Sequence, residues 1–139
     1  MMTPEQIQAI TPPEWDSLLR KVYRKISSDP RCAGILKDVG QARLQFVLTD
    51  RPDLSFWEEY SGDEVVHHLG VADAPSVEAR TTSRVLIGTL LQQISIMEAA
   101  ADEAYEMRGD TETLMRCANL LPYVMAAFSE AVKEEMVAA

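Results

Sequence analysis

The sequence is poor in almost everything from which a chemical site is usually read. Its two cysteines, Cys32 and Cys117, stand far apart with no C-x-x-C pair and no Cys/His cluster. Neither a disulfide framework nor a zinc site is indicated, and a reducing cytoplasm is the expected setting. Basic residues are scarce, 13 against 22 acidic for a net charge of −9, and no Lys/Arg-rich run relieves the balance. An acidic chain repels phosphate backbones and anionic lipid surfaces, so no nucleic acid partner is expected. No run of 18 apolar residues occurs, and the opening MMTPEQIQAITPPEW lacks the basic start and apolar stretch of a signal peptide, so no stable membrane insertion or export is expected.

The six glycines are scattered, with no G-x-G-x-x-G, G-x-x-x-x-G-K or G-x-S-x-G pattern. The titratable pairs do not converge. His67 and His68 are neighbours on a predicted strand and point to opposite faces, while Glu58-Glu59 and Asp102-Glu103 read as solvated surface. No catalytic residue, metal site or cofactor is therefore expected, and the chain reads as a non-enzyme.

What is present is aliphatic and pliable: 47% of the 139 residues are hydrophobic and only 6% aromatic, with seven Met. The length suits one domain over residues 1–139, with residues 1–12 as an N-terminal extension and 120–137 as a C-terminal helix. TPEQ and TPPE each place Thr at a cap, Pro at the first helical position and Gln6 or Glu14 three residues after the Thr. The second opens a helix with Trp15, Leu18, Leu19, Val22, Tyr23 and Ile26 at spacings of three and four. A short helix in PRCAGILKDVG is closed by Gly40.

The period then changes to two. In ARLQFVLTD the residues Ala42, Leu44, Phe46 and Leu48 share a face, with Arg43, Gln45 and Thr49 on the other. LSFWEEY and EVVHHL follow across short turns and predict an antiparallel three-strand meander. SVEARTT predicts a fourth strand, SRVLIGTLLQQIS and IMEAAADEA helices, AYEMR a fifth strand, and the remainder helix, with Asp110 or Thr111 as one cap and a new helix beginning at Asn119. Met97, Met107, Met115, Met125 and Met136 all fall in the last third. Such a stripe fills a core or lines a cavity, and periodicity does not separate the two.

The order from DPRCAGILKDVGQARLQFVLTD through SFWEEYSGDEVVHHLGVADAPSVEARTTSRVLIGTLLQQIS to YEMRGDTETLMRCANLL resembles the sterol carrier protein type 2 domain family over residues 13–128. Its most specific part is a strand ending in Arg108, then Gly109-Asp110, then a helix with Leu114, Met115, Ala118 and Leu121 in the family's spacing. The chain departs from the family at Gln92-Gln93 and Glu103-Ala104-Tyr105, and it finishes in Val-Ala-Ala rather than in the peroxisomal tripeptide of some members. The resemblance implies an α+β fold, a five-stranded mixed sheet (the meander plus two further strands) covered by helices. It also implies an apolar tunnel between the two layers that accepts a fatty acyl, sterol-like or other apolar small molecule without catalysis.

The lining expected on that reading is Phe46, Trp57, Leu86, Leu90, Ile94, Met97, Tyr105, Met107, Leu114, Met115, Leu121, Met125 and Phe128. The C-terminal helix is expected to be a removable wall of the tunnel. The alternative is an accessory domain whose apolar groove meets a protein partner or a second copy as a homodimer.

Overall fold

The computed structural model describes residues 2–136, the side chain of Met136 excepted. Val137, expected to close the C-terminal helix, and the final Val-Ala-Ala lie outside the described residues. The first two helices begin as their sequences dictate. Thr3 caps α1 (Pro4–Gln8) and Thr11 caps α2 (Pro12–Ser28): each Thr hydroxyl accepts the third helical N–H, and Gln6 or Glu14 reaches back to the Thr N–H. Pro occupies the first turn, where its missing donor is not required. The segment expected as an extension is part of the core. Ile7 and Ile10 are buried, and the Arg51 guanidinium donates to the carbonyls of Gln8 and Ile10.

All six residues of the α2 stripe are buried, and the Trp15 indole N–H donates 2.8 Å to the Leu54 carbonyl. A 3-10 turn over Pro30–Cys32 leads into α3 (Ala33–Val39), which ends at Gly40 with φ +70°. The strands are β1 (Gln41–Leu48), β2 (Phe56–Ser61), β3 (Val65–Leu69), β4 (Val77–Thr81) and β5 (Tyr105–Gly109). They form a five-stranded sheet in the order β3-β2-β1-β4-β5. The meander is antiparallel, β1 and β4 pair parallel, and β5 returns antiparallel to β4, so the expected mixed sheet is borne out.

Register sets what the helices cover. Phe56, Phe46, Ala79 and Met107 align across the sheet, as do Glu58, Leu44, Val77 and Gly109. These positions share one face with Tyr60, against which the helices pack; Arg43, Trp57, Glu59, Glu78 and Arg80 alternate onto the other. Gln45 belongs by alternation to the second face yet is fully buried. Its side-chain amide donates to the carbonyls of Phe56 and Gly70, and its carbonyl accepts the Ala72 N–H at 2.7 Å, so the β3–β4 connection folds over it.

Helix α4 (Ser83–Leu90) stops short of the expected Ser95. The N–H groups of Gln93 and Ile94 both turn back to the Gly88 carbonyl, with Gln92 at φ +59°. Then come α5 (Ile96–Ala101), α6 (Thr111–Ala118) and α7 (Leu121–Met136). Asp110 caps α6, its carboxylate accepting the Glu112 N–H at 3.1 Å. Asn119 closes α6 instead of opening the last helix, because its backbone is still helical and its N–H donates to the Arg116 carbonyl.

The abrupt strand-to-helix passage at Gly109-Asp110 depends on the missing side chain. Gly109 has φ +121°, and a Cβ there would lie 2.2 Å from the Ser76 carbonyl oxygen, which also accepts the Asp110 N–H at 2.9 Å. Gly109→Ala should therefore lose on the order of 3 kcal/mol of stability. Urea unfolding followed by far-UV circular dichroism would read this, and a loss below about 1 kcal/mol would contradict the packing described.

Helix α7 is not a loosely attached wall. It runs against α2, with Phe128 fully buried and edge-on to Trp15 at 6.0 Å between ring centroids, and with Ala127, Ala131 and Val132 buried beside it. Lys21 reaches Glu134 and Glu135 across this seam, and Ser17 donates to Glu135.

A cavity with one buried carboxyl as the candidate functional site

Between the covered face of the sheet and helices α2, α4, α6 and α7 lies a cavity of about 150 Å³. Its lining is almost wholly apolar and contains no Lys, Arg or His. The deep part is walled by residues such as Leu19, Val22, Leu44, Phe56, Leu86 and Phe128, all buried. Half-buried Ile96, Leu114, Leu121, Val124 and Met125, with Met107 at 39% exposure, form the rim. The volume is about half the lower end of the range for ordinary small-molecule sites and is of the size that holds a benzene-like ring. A longer guest requires rim side chains to swing outward, which unbranched Met does at low rotameric cost.

Nine of the thirteen residues expected to line a tunnel stand on this wall: Phe46, Leu86, Leu90, Tyr105, Met107, Leu114, Leu121, Met125 and Phe128. Trp57, Ile94, Met97 and Met115 do not, and each has a local reason. Trp57 follows Phe56 on β2 and so takes the opposite face, where it stacks on His68 at 4.3 Å with the Arg43 guanidinium over its ring. The Ile94 side chain packs onto α4, its Cδ1 2.5 Å from where a Gly88 Cβ would be. Met97 is 78% exposed on α5, whose only buried residue is Ala99. Met115 is 67% exposed because the α6 stripe that reaches the cavity is Leu114, Cys117 and Ala118, at steps of three and four.

The polar feature of the cavity is Glu58, expected as solvated surface and found buried at 5% exposure. Period-two alternation puts it between Phe56 and Tyr60 on the inward face of β2, and that is the signal by which FWEEY betrays it. One carboxyl oxygen accepts the Tyr23 hydroxyl from α2 and the other accepts the Tyr60 hydroxyl at 2.9 Å. Burial pushes this carboxyl up to about 7, against the pull of the two tyrosine hydrogen bonds. Burial, with Glu58 beside them, holds the phenols of Tyr23, Tyr60 and Tyr105 above their ordinary value. The same two causes push the Cys117 thiol up to about 12, which leaves it protonated and unreactive.

The two histidines part company as expected. His67 lies inward, stacked on Tyr23 and 2.7 Å from an Asp16 carboxylate oxygen, while His68 lies on the open face beside Glu59. Among the described residues no group of three or more His, Cys, Asp or Glu is placed to hold a metal ion. Among them also, no helix is long and apolar enough to cross a membrane.

No protein-family model matches the chain, and no curated protein matches it. Solved structures do. The sterol carrier protein domain 2 of Helicoverpa armigera aligns over 90% of this chain and 94% of its own at a TM-score of 0.60 and 10% identity. A ubiquinone synthesis protein, UbiJ-SCP2, aligns over 86% and 94% at 0.57 and 15% identity. The chain has the sterol carrier protein 2 fold. The same fold occurs within a larger enzyme, the inverting sec-alkylsulfatase Pisa1 from Pseudomonas sp., with a TM-score of 0.60 and 15% identity over 86% of this chain. There the chain spans only 17% of the sulfatase. In sterol carrier protein 2 terms, the cavity of the present chain sits between its sheet and its helical layer, with Glu58 in the deep part.

Proposed function

We propose that this chain is a noncatalytic carrier of the cytoplasm that binds a hydrophobic small molecule between its sheet and its helices. The observation that carries the reading is the cavity itself: deep walls of fully buried aliphatic and aromatic residues and a half-buried rim of Met, Leu and Ile. The names of the neighbours in fold, a sterol carrier protein and a ubiquinone synthesis protein, support an apolar ligand, while identities of 10% and 15% carry the fold alone. Each methylene buried contributes about 0.8 kcal/mol before ordering costs, so an eight-carbon chain brings roughly 6 kcal/mol gross.

Organic extracts of the purified protein, read by denaturing mass spectrometry, test for a carried molecule. Delipidated protein given alkyl and polycyclic ligands should melt at higher temperature, with stabilisation growing as ln(1 + [L]/Kd). No shift with any member of a broad panel would sink the carrier reading. At the rim, Met125→Leu conserves volume, costs under about 1.5 kcal/mol and should preserve binding, whereas Met125→Asp places a carboxylate at the entrance and should abolish it. Equal binding by the two variants would remove Met125 from the ligand's path.

A second reading, an accessory domain that docks on a protein partner, is favoured by one observation. Met97 and Met115 are largely exposed on α5 and α6, elements that also supply the rim residues Ile96 and Leu114. Recovery of a stoichiometric protein partner with no extractable lipid would favour this reading over the carrier.

A further inference from the structure

We propose that Glu58 selects the head of the ligand: it takes the neutral hydroxyl of an apolar molecule and rejects a carboxylate or phosphate, a reading that rests on the carrier function above. Three observations converge on this. The cavity lining has no basic side chain, so an anionic head would enter without a counter-charge. Glu58 is a carboxyl in the deep part, and each of its oxygens, although holding one tyrosine hydroxyl, keeps a lone pair for another donor. The rim is apolar, so a charged head would be stripped of water along the way in, at a cost a hydroxyl largely escapes.

A ligand hydroxyl that reaches the deep part can donate to a free lone pair of Glu58. The groups that face Glu58 are few. Tyr23 comes from α2, Tyr60 from β2 itself, Tyr105 from β5 and Cys117 from α6, and all four are held protonated. His67 on β3 is its cross-strand neighbour and is engaged with Asp16 on α2; α4 brings Thr89, whose hydroxyl already donates to the Leu86 carbonyl. Glu58 is thus the group in the cavity whose charge changes near neutral pH, at about 7. Below that, its proton can be donated to a ligand carboxylate; above it, two anions would face each other.

The test uses the full chain and three soluble probes of equal length, 1-octanol, octanoate and octylamine, titrated calorimetrically at pH 5.5 and 8.5. At pH 8.5 octanol should bind at least about tenfold more tightly than octanoate. Octanoate should gain at least about fivefold on moving to pH 5.5, while octanol stays within about twofold. Glu58→Gln, which keeps the shape and removes the charge, should narrow the octanol-to-octanoate ratio at pH 8.5 by at least about threefold, with octanol still the tighter because the head remains without a counter-charge. Equal affinities in the unmodified protein at pH 8.5, an unchanged ratio in Glu58→Gln, or tightest binding by octylamine would each overturn the assignment. The comparison in the unmodified protein decides the matter even if the variant does not fold. Binding of other panel lipids without octanol would overturn this inference and leave the carrier standing; no binding by any of them would remove both.

Discussion

At pH 8 the Glu58→Gln protein should be more stable than the unmodified chain by about 3 kcal/mol, and at pH 4 the two should be equally stable. The sign follows from where the proton is held. Glu58 has a folded-state value of about 7 against an ordinary 4.5, because burial disfavours its charge more than the hydroxyls of Tyr23 and Tyr60 favour it. Below 4.5 both folded and unfolded chains keep the proton, and the carboxyl behaves as a neutral hydrogen-bonding group. Between 4.5 and about 7 the unfolded chain releases it while the folded chain retains it, so stability falls as pH rises. Above that window both are ionised and the difference is constant. The interval of about 2.5 units corresponds to about 3 kcal/mol at 1.36 kcal/mol per unit, an order of magnitude to be read by urea unfolding at several pH values. Glutamine cannot titrate, and like the protonated carboxyl it offers one acceptor and one donor: its amide oxygen accepts one tyrosine hydroxyl and its N–H donates to the oxygen of the other. Carboxyls such as Asp29, Asp53 and Asp110 are held low by their hydrogen bonds and act in the opposite sense at acid pH, but they are common to both proteins and cancel. Parallel pH profiles for the two proteins would show that Glu58 is solvated after all.

Removing the chain from Asn119 onward should abolish cooperative folding and not merely release a ligand. The truncation takes away Phe128, buried at 0% exposure against Trp15, along with Ala127, Ala131 and Val132, and it leaves the α2 stripe facing water along one side. Phe128→Ala alone should cost about 3–5 kcal/mol, a large part of the stability of a domain this size. The lysine–glutamate pairs of the same seam, Lys21 with Glu134 and Glu135 and Lys25 with Glu130, are largely solvated and contribute little. The truncated protein should therefore lack a urea transition by far-UV circular dichroism. A truncated chain with a cooperative transition and an intact sheet would restore the helix to the role of a detachable wall.

The α2 stripe, the meander and the glycine-ended fifth strand were legible because each depends on local periodicity or on a residue with special backbone freedom. The carboxyl in the cavity was not, although FWEEY carried it on the correct face. Alternation states which side chains share a face but not which face is covered, and a glutamate weighs the estimate toward solvent. Gln45 shows the converse. Its alternation assigns it to the polar face, and it is buried because Gly70 to Ala72 closes over it through hydrogen bonds between residues 25 and 27 positions apart. Met97 and Met115 failed in the opposite sense, since hydrophobicity alone does not orient a side chain when the stripe of its helix runs through other positions.

The edge of the sheet at β3 carries a consequence for how this protein behaves in crowded solution. The Ser27 hydroxyl of α2 both accepts the Val65 N–H at 3.0 Å and donates to the Val65 carbonyl at 2.9 Å, taking up the outward pair that a foreign strand would seek first. An exposed strand edge is a template for uncontrolled polymerisation, and its growth begins by matching such pairs. Here a serine from the neighbouring helix occupies the Val65 end of that template from within the same molecule. The opposite edge is β5, five residues long and ended by Gly109. The border of the sheet at β3 is thus closed at Val65 by a side chain of the same molecule, which removes one of the backbone pairs on which an added strand could build.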